Sequence, residues 1–281
     1  MANRPRADTK MYLRMITHFM LDLDGVVYRG DQPIPDARLA IDALERDGRK
    51  ILYLTNNSTL SRNQYAKKLH SFGIEAEPEQ IVTSGFAAAR LLQSRRKDLQ
   101  IFMVGEEGLA EELRLAGLAL TDGESSEQVD AVVVGLDRGF SYKKLALAMR
   151  AIRQGAEFIA TNPDTTLPTP GGLSPGVGAI IDAIKACSEK APGIIVGKPN
   201  RYIVEVALEI SGAPRTSTAM VGDRLDTDIV AGNQCGLFTI LVLTGVTKRK
   251  DITNVRIDLE RPNLVVRNLS ELARRVSENS P

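Results

Sequence analysis

Residues 16–26 read Ile-Thr-His-Phe-Met-Leu-Asp-Leu-Asp-Gly-Val, and this stretch decides the fold. Its apolar run over 16–23 predicts a strand that ends in Asp22-Leu23-Asp24-Gly25, two carboxylates and a turn residue. Outward from it, short apolar runs alternate with amphipathic helical stretches, the pattern of a parallel α/β sheet. A helix is predicted from Asp36, with apolar positions Leu39, Ala40, Ala43 and Leu44, closing at Gly48. Residues 50–54 give a second strand. Ser61 and Gln64 are spaced as a capping box before a helix that turns Tyr65, Leu69 and Phe72 to one face and ends at Gly73. A strand over 80–83 and a helix over 86–92 follow.

A second series begins near residue 97. Strands are expected over 100–104, 130–134 and 157–160, with helices over 107–115 (closed by Gly117) and 142–153. The stretch 161–178, TNPDTTLPTPGGLSPGVG, reads as one long loop, because its prolines and glycines exclude a helix or an inner strand. Gly176 and Gly178 are turn residues there, and a helix over 179–187 comes next. After Pro192 the first pattern returns. It has strands over 194–196, 219–221 and 238–243, helices over 201–210, 227–235 and 269–276, and an edge strand at Leu264-Val265. The expected organisation is a core domain in two pieces, 1–95 and 194–281, with a smaller α/β domain, 96–193, inserted between them.

Composition narrows the function classes. Lys+Arg 36 against Asp+Glu 35 leaves a net charge of +1, so no global field points to nucleic acid or an anionic membrane. No apolar run reaches about 18 residues, so no membrane span is expected. Residues 1–10 are charged and contain Pro5, which reads as a solvated tail and not a signal peptide, with the cytoplasm as the implied compartment. Cys187 and Cys235 lie far apart without metal-ligand company, so two buried free thiols are expected. His18 reads as a strand residue, His70 as a helix-surface one, and Lys248-Arg249-Lys250 as a solvated loop.

Open parallel sheets gather ligands beyond the carboxyl ends of their strands. Three expected core strands end in polar clusters: Asp22-Leu23-Asp24-Gly25, Thr55-Asn56-Asn57-Ser58, and Gly222-Asp223 followed by Asp226 and Asp228. Lys198 opens a core helix. Several acids, one cation and several hydroxyl and amide groups on one sheet edge are what a phosphate and Mg2+ require. Mg2+ prefers near-octahedral oxygen ligands. Asp22 and Asp223 are placed to supply carboxylates, a backbone carbonyl completes the set, and Asp24 counts among the candidate ligands. Asp22 is the candidate nucleophile. Asp24, two residues on at strand period, is the candidate general acid and base. Thr55, Asn56, Asn57 and Lys198 are candidate phosphate ligands. Asp228 is a supporting acid near the metal, and Asp226 reads more simply as a helix-start residue. An EF-hand is excluded by Val26 and Pro33 at its fifth and twelfth positions. A P-loop is excluded by Pro199 in place of Ser/Thr.

Asp22-Leu23-Asp24-Gly25-Val26, Thr55-Asn56-Asn57, Gly197-Lys198-Pro199 and Gly222-Asp223-Arg224-Leu225-Asp226-Thr227-Asp228, in this order, resemble the four motifs of the haloacid dehalogenase (HAD) superfamily. Positions 25 to 54 leave no room for a cap domain, whereas positions 58 to 197 do. This spacing resembles the NagD-like and para-nitrophenyl-phosphatase branch. The resemblance implies a doubly wound parallel core with an inserted α/β cap of the C2 type, and Mg2+-dependent hydrolysis of small phosphomonoesters through an aspartyl-phosphate. It also implies a cap loop over 161–178 that selects the leaving group, with Asn162 as a candidate substrate contact, and a homodimer formed through the cap. The alternatives are another phosphotransferase on the same core or a non-catalytic phosphometabolite sensor. Asp24 argues against a dehalogenase, and the missing early cap against a phosphomutase.

Overall fold

The computed structural model describes residues 9–95, 98–124, 128–169 and 172–279. In chain order its strands begin with β1 (His18–Asp22), the ribbon β2 (Tyr28–Arg29) and β3 (Gln32–Pro33), β4 (Lys50–Thr55) and β5 (Ile81–Thr83). Then come β6 (Gln100–Val104), β7 (Ala119–Thr121), β8 (Ala131–Val134), β9 (Glu157–Ala160), the ribbon β10 (Thr166–Thr169) and β11 (Gly172–Pro175), and β12 (Ile194–Ile195). The last three are β13 (Thr218–Gly222), β14 (Phe238–Val242) and β15 (Leu264–Val266). By its internal contacts the chain divides into two compact units, Met1–Leu54 with Lys68–Ile81 and Val204–Pro281, and Thr55–Lys67 with Val82–Ile203.

The first unit carries most of a six-stranded sheet in the order β15-β14-β13-β1-β4-β5. β1 pairs parallel with β4 on one side and with β13 on the other. The chain thus leaves β1 in one direction and, much later, returns to its opposite flank. That reversal is a topological switch point, where ligands collect at strand carboxyl ends. Phe19, Met20 and Leu21 are fully buried, as the apolar run requires. The strand, His18–Asp22, is shorter than the run at both ends, and a helix that the pattern did not announce, Thr9–Met15, precedes it.

The helix Ala37–Arg46 buries Ala37, Ala40, Ile41 and Leu44, spaced i, i+3, i+4, i+7, and packs on the final helix Leu269–Ser277. Leu39, expected on this face, is 53% exposed. The face is set by the neighbouring helix, whose Leu272 and Val276 are fully buried. Gly48 and Gly73 end their helices at φ 77° and 75°, in the left-handed region that a side chain disfavours. The Ser61–Gln64 capping box forms as expected: Gln64 N–H donates to Ser61 Oγ at 3.2 Å, and Ser61 N–H donates to Gln64 Oε1 at 2.8 Å.

The last helix is tied down by Glu271, which accepts from Arg267 N–H at 2.9 Å and from the Arg267 and Arg275 guanidinium groups. These bonds favour the carboxylate and hold its pKa down at about 2. A depressed pKa stabilises the fold above the unfolded value near 4.3 and loses that contribution as pH falls toward 2. Glu271→Gln will therefore cost about 1–3 kcal/mol at neutral pH. Thermal unfolding of both proteins from pH 7 to pH 2 will show the difference shrinking below pH 4.

The second unit is built on a parallel sheet in the order β12-β9-β8-β6-β7. Its core joins Phe102, Val132, Val134 and Phe158 to Ile152, Ile180 and Ile184 of the helices Tyr142–Arg153 and Val177–Ser188. β12, expected with the returning core segment, pairs instead with β9. The stretch read as one loop contains the antiparallel ribbon β10–β11. A two-stranded ribbon has only edges, so its prolines are tolerated. The following helix begins at Val177, which makes Gly178 helical and not a turn residue.

Neither cysteine is in a disulfide; Cys235 is buried, but Cys187 is only half-buried. His18 is a buried strand residue and His70 lies exposed on a helix. Lys248, Arg249 and Lys250 are exposed as expected, although Arg249–Ile252 form a short helix. Among the described residues no helix is long and apolar enough to cross a membrane.

Candidate active site

Asp22 is the last residue of β1, Asp223 follows the last residue of β13, and these strands are neighbours. Their side chains meet that of Asp228: each of the three offers one carboxylate oxygen, and the three oxygens lie within 4.8 Å of one another. All are buried, Asp22 at 8% exposure, Asp223 at 2% and Asp228 at 1%. Asp228 reaches the group from a π-helical turn, Leu225–Ile229, that precedes the α-helix Val230–Gln234, where one regular helix was expected. Such turns concentrate at functional sites because they re-aim a side chain. One Asp228 oxygen accepts from Asp223 N–H and Arg224 N–H, both at 3.1 Å, so Asp228 holds the main chain that carries Asp223.

Two glycines make room for this carboxylate. Gly25, at φ 83°, has Asp223 Oδ2 so close that a Cβ would lie 2.6 Å from it. Gly245 is tighter still, and a Cβ there would overlap the same oxygen. Val246 N–H donates to Asp223 Oδ2 at 2.5 Å, and Thr244 Oγ1 donates to the Gly25 carbonyl at 2.6 Å. Reading the sequence missed the Thr244–Val246 segment, which carries no titratable group; the pairing of Thr244 and Gly245 after a buried strand was its only signal.

Asp24 is not part of the converging group. β1 ends at Asp22, so strand alternation does not carry to Asp24, which lies in the turn bridged to Tyr28. Asp24 is exposed. Desolvation by the surrounding protein raises its pKa, opposed by Lys68, a Gly30 N–H bond and Arg29, with Asp31 adding to the rise. A carboxyl that keeps its proton to higher pH suits proton donation.

Thr55, the last residue of β4, comes one position after Leu54, the register partner of Asp22. Thr55 Oγ1 accepts from Asn57 N–H at 3.1 Å, and Asn57 Oδ1 accepts from Thr59 N–H at 2.9 Å, so the loop turns twice on its own side chains. Lys198 is 2% exposed and sits in the loop after β12 with a cis bond to Pro199. It precedes the helix Tyr202–Ser211 without opening it, in contrast to the expectation from the sequence. Asn162 is 6% exposed and lies just beyond β9. The structure brings Asn56 and Asn162 together on Asp164, to which the sequence assigns no role, and sets the Asn56 side chain against the Lys198 main chain.

Comparison with known proteins fits this arrangement. A family model described as haloacid dehalogenase-like hydrolase matches residues 19–119, and one described as HAD-hydrolase-like matches 195–272. The 5′-nucleotidase YutF of Bacillus subtilis (strain 168) is 39% identical over 253 residues, covering 90% of this chain and 96% of that protein. The p-nitrophenyl phosphatase from Archaeoglobus fulgidus superposes with a TM-score of 0.86 at 36% identity, over 92% of this chain and 98% of that one. Glycerol phosphate phosphatase Rv1692 from Mycobacterium tuberculosis, solved in complex with magnesium, gives 0.85 at 33% identity, over 94% and 77%. The chain belongs to the haloacid dehalogenase-like hydrolases. Within them it is a phosphoric monoester hydrolase of the NagD-like, para-nitrophenyl-phosphatase branch, with a parallel α/β core and a cap domain.

Proposed function

We propose that this phosphatase is Mg2+-dependent, acts on small phosphomonoesters, and works through an aspartyl-phosphate on Asp22. The observation that carries the reading is the convergence of three buried carboxylates, those of Asp22, Asp223 and Asp228, beside the switch point of the sheet. Like charges at this spacing repel, and a divalent cation offsets the repulsion. Carboxylate oxygens are the donors that Mg2+ takes. Asp22 and Asp223 would hold the ion, a main-chain carbonyl of the Asp22–Asp24 segment would complete the protein ligands, and Asp228 would keep Asp223 in place. When bound, the ion neutralises phosphoryl charge that would otherwise repel a carboxylate nucleophile.

The remaining steps belong to the side chains. An oxygen of Asp22 attacks phosphorus as the bond to the leaving oxygen breaks, and Asp24 gives that oxygen its proton. Asp24 then takes a proton from water as the water attacks phosphorus. Inorganic phosphate leaves and the Asp22 carboxylate is restored. Thr55, the main-chain amides after it at Asn56 and Asn57, and Lys198 bind the phosphoryl oxygens. Segment 96–193 acts as the cap that selects the leaving group, with Asn162 as a substrate contact. The named relatives act on different phosphoesters, which supports a small phosphomonoester as the substrate class.

Turnover of para-nitrophenyl phosphate with and without Mg2+ tests the proposal. Chelation is expected to remove phosphate release and added Mg2+ to restore it. A folded protein equally active after exhaustive chelation, or inert across a broad panel of small phosphoesters, would overturn it.

A further inference from the structure

The side chains of Asn56, Asn162 and Asp164 form one connected set within the second unit. Asn56 Oδ1 accepts from Lys198 N–H at 2.8 Å, and Asn56 Nδ2 donates to the Lys198 carbonyl at 2.8 Å. One carboxamide thus pairs with both main-chain groups of Lys198, as a neighbouring strand would. Asn56 Nδ2 also points to Asp164 Oδ2 at 3.3 Å, and the same oxygen accepts from Asn162 Nδ2 at 2.6 Å. A carboxylate only accepts, so both amides must turn their NH2 groups toward Asp164. That fixes Asn56 Oδ1 toward the Lys198 N–H; a flipped amide would set donor against donor there.

Asp164 is itself held from behind. Its carbonyl accepts from Gly178 N–H at 2.8 Å, and Gly176 N–H donates to the Thr165 carbonyl at 2.8 Å. A Cβ on Gly178 would lie 2.5 Å from the Pro163 carbonyl oxygen, and one on Gly176 would overlap that of Asp164. These glycines therefore allow the two segments to touch. At the other end, the Asn56 carbonyl accepts from Ser84 Oγ at 2.5 Å, and a Cβ on Gly197 would lie 2.6 Å from Asn56 Oδ1. Both partners of the Lys198 clamp are thus pinned.

We propose that Asp164, through the carboxamide of Asn56, is a positioning residue for Lys198, and that the Asn56 side chain serves this clamp and does not ligate phosphate. The inference rests on the proposed phosphate-binding role of Lys198. A tilt of the Lys198 peptide swings its side chain, so loss of the clamp weakens phosphate binding in ground and transition states alike. KM then rises with little change in kcat.

The test compares the wild type with four variants: Asp164→Ala, Asp164→Asn, Asn56→Asp and the double variant Asn56→Asp/Asp164→Asn. It measures KM for para-nitrophenyl phosphate, binding of inorganic phosphate by calorimetry, and the thermal midpoint. Asp164→Ala is expected to raise KM and weaken phosphate binding by about tenfold or more, whereas Asp164→Asn, which keeps an acceptor oxygen, stays within about threefold. Asn56→Asp loses the donor to the Lys198 carbonyl and faces a second carboxylate, for a loss of about 10–100-fold. The double variant recovers about tenfold of that, because the carboxamide introduced at position 164 can donate to the new carboxylate at position 56 once the Asn162 carboxamide turns its oxygen toward it. Phosphate binding within about twofold of wild type in folded Asp164→Ala overturns the inference, as does a double variant no better than Asn56→Asp. Should Asp164→Ala not fold, that second comparison decides. A wild type that binds phosphate without turnover counts against the phosphatase mechanism, and the binding data still judge the clamp.

Discussion

Asp22→Asn will abolish phosphate release and leave the protein folded. The replacement has the same shape, and the strand that carries it is anchored by Phe19, Met20 and Leu21, all fully buried. What disappears is the proposed nucleophile, because a carboxamide oxygen does not displace an alkoxide from phosphorus. One of three converging negative charges also goes, which relieves repulsion with Asp223 and Asp228 when no cation is bound. The metal-free variant is therefore expected to melt no lower than the wild type, while kcat falls by at least about 1,000-fold. Steady-state hydrolysis and a melting curve on the same preparation check both halves. Activity within about tenfold of wild type would refute Asp22 as the nucleophile.

Gly245→Ala should be nearly as damaging, although Gly245 has no chemistry of its own. Its added methyl would fall on Asp223 Oδ2 and Cγ. That carboxylate has nowhere to retreat: Val246 N–H holds Oδ2 from one side, and Asp228 holds the Asp223 main chain from the other. Either the carboxylate leaves its position or the Thr244–Thr247 loop lifts. Both cost about 1–3 kcal/mol by overpacking and misplace a proposed metal ligand. The half-saturating Mg2+ concentration is expected to rise and kcat/KM to fall by about 100-fold, because misplacement of about 1 Å can cost that much. Gly193→Ala is the control, since a Cβ there meets nothing nearer than 3.9 Å. Equal behaviour of the two variants would show that the crowding at Gly245 is harmless.

The parts of the fold and site legible in the sequence are those that a local pattern carries. β1, β4 and β13 stand out because each is a short apolar run broken by polar residues at one end, and the fold sets them side by side. Asp22 and Asp223 follow from that pattern alone. The error at Leu39 has the opposite origin: two helical faces were compatible with the spacing, and a helix more than 200 positions away selects between them. β12 misled for a similar reason, since two residues carry too little pattern to name their sheet. Asp164 and Gly245 were invisible because their importance lies in what touches them. No local spacing announces that an acid will orient two amides, or that a loop must pass close to a carboxylate.

The position of β1 also shapes how the molecule is made. Its register partners on β13 run from Thr218 to Val221, so half of its pairing waits until the whole of segment 23–217 has been synthesised. During synthesis the amino-terminal segment can form β1 and β4 early, but it presents an open edge of fully buried-type residues until Thr218–Gly222 has emerged. Asp223 and Asp228 arrive later still. The nascent protein therefore has no assembled acidic cluster until Asp228 is clear of the ribosome.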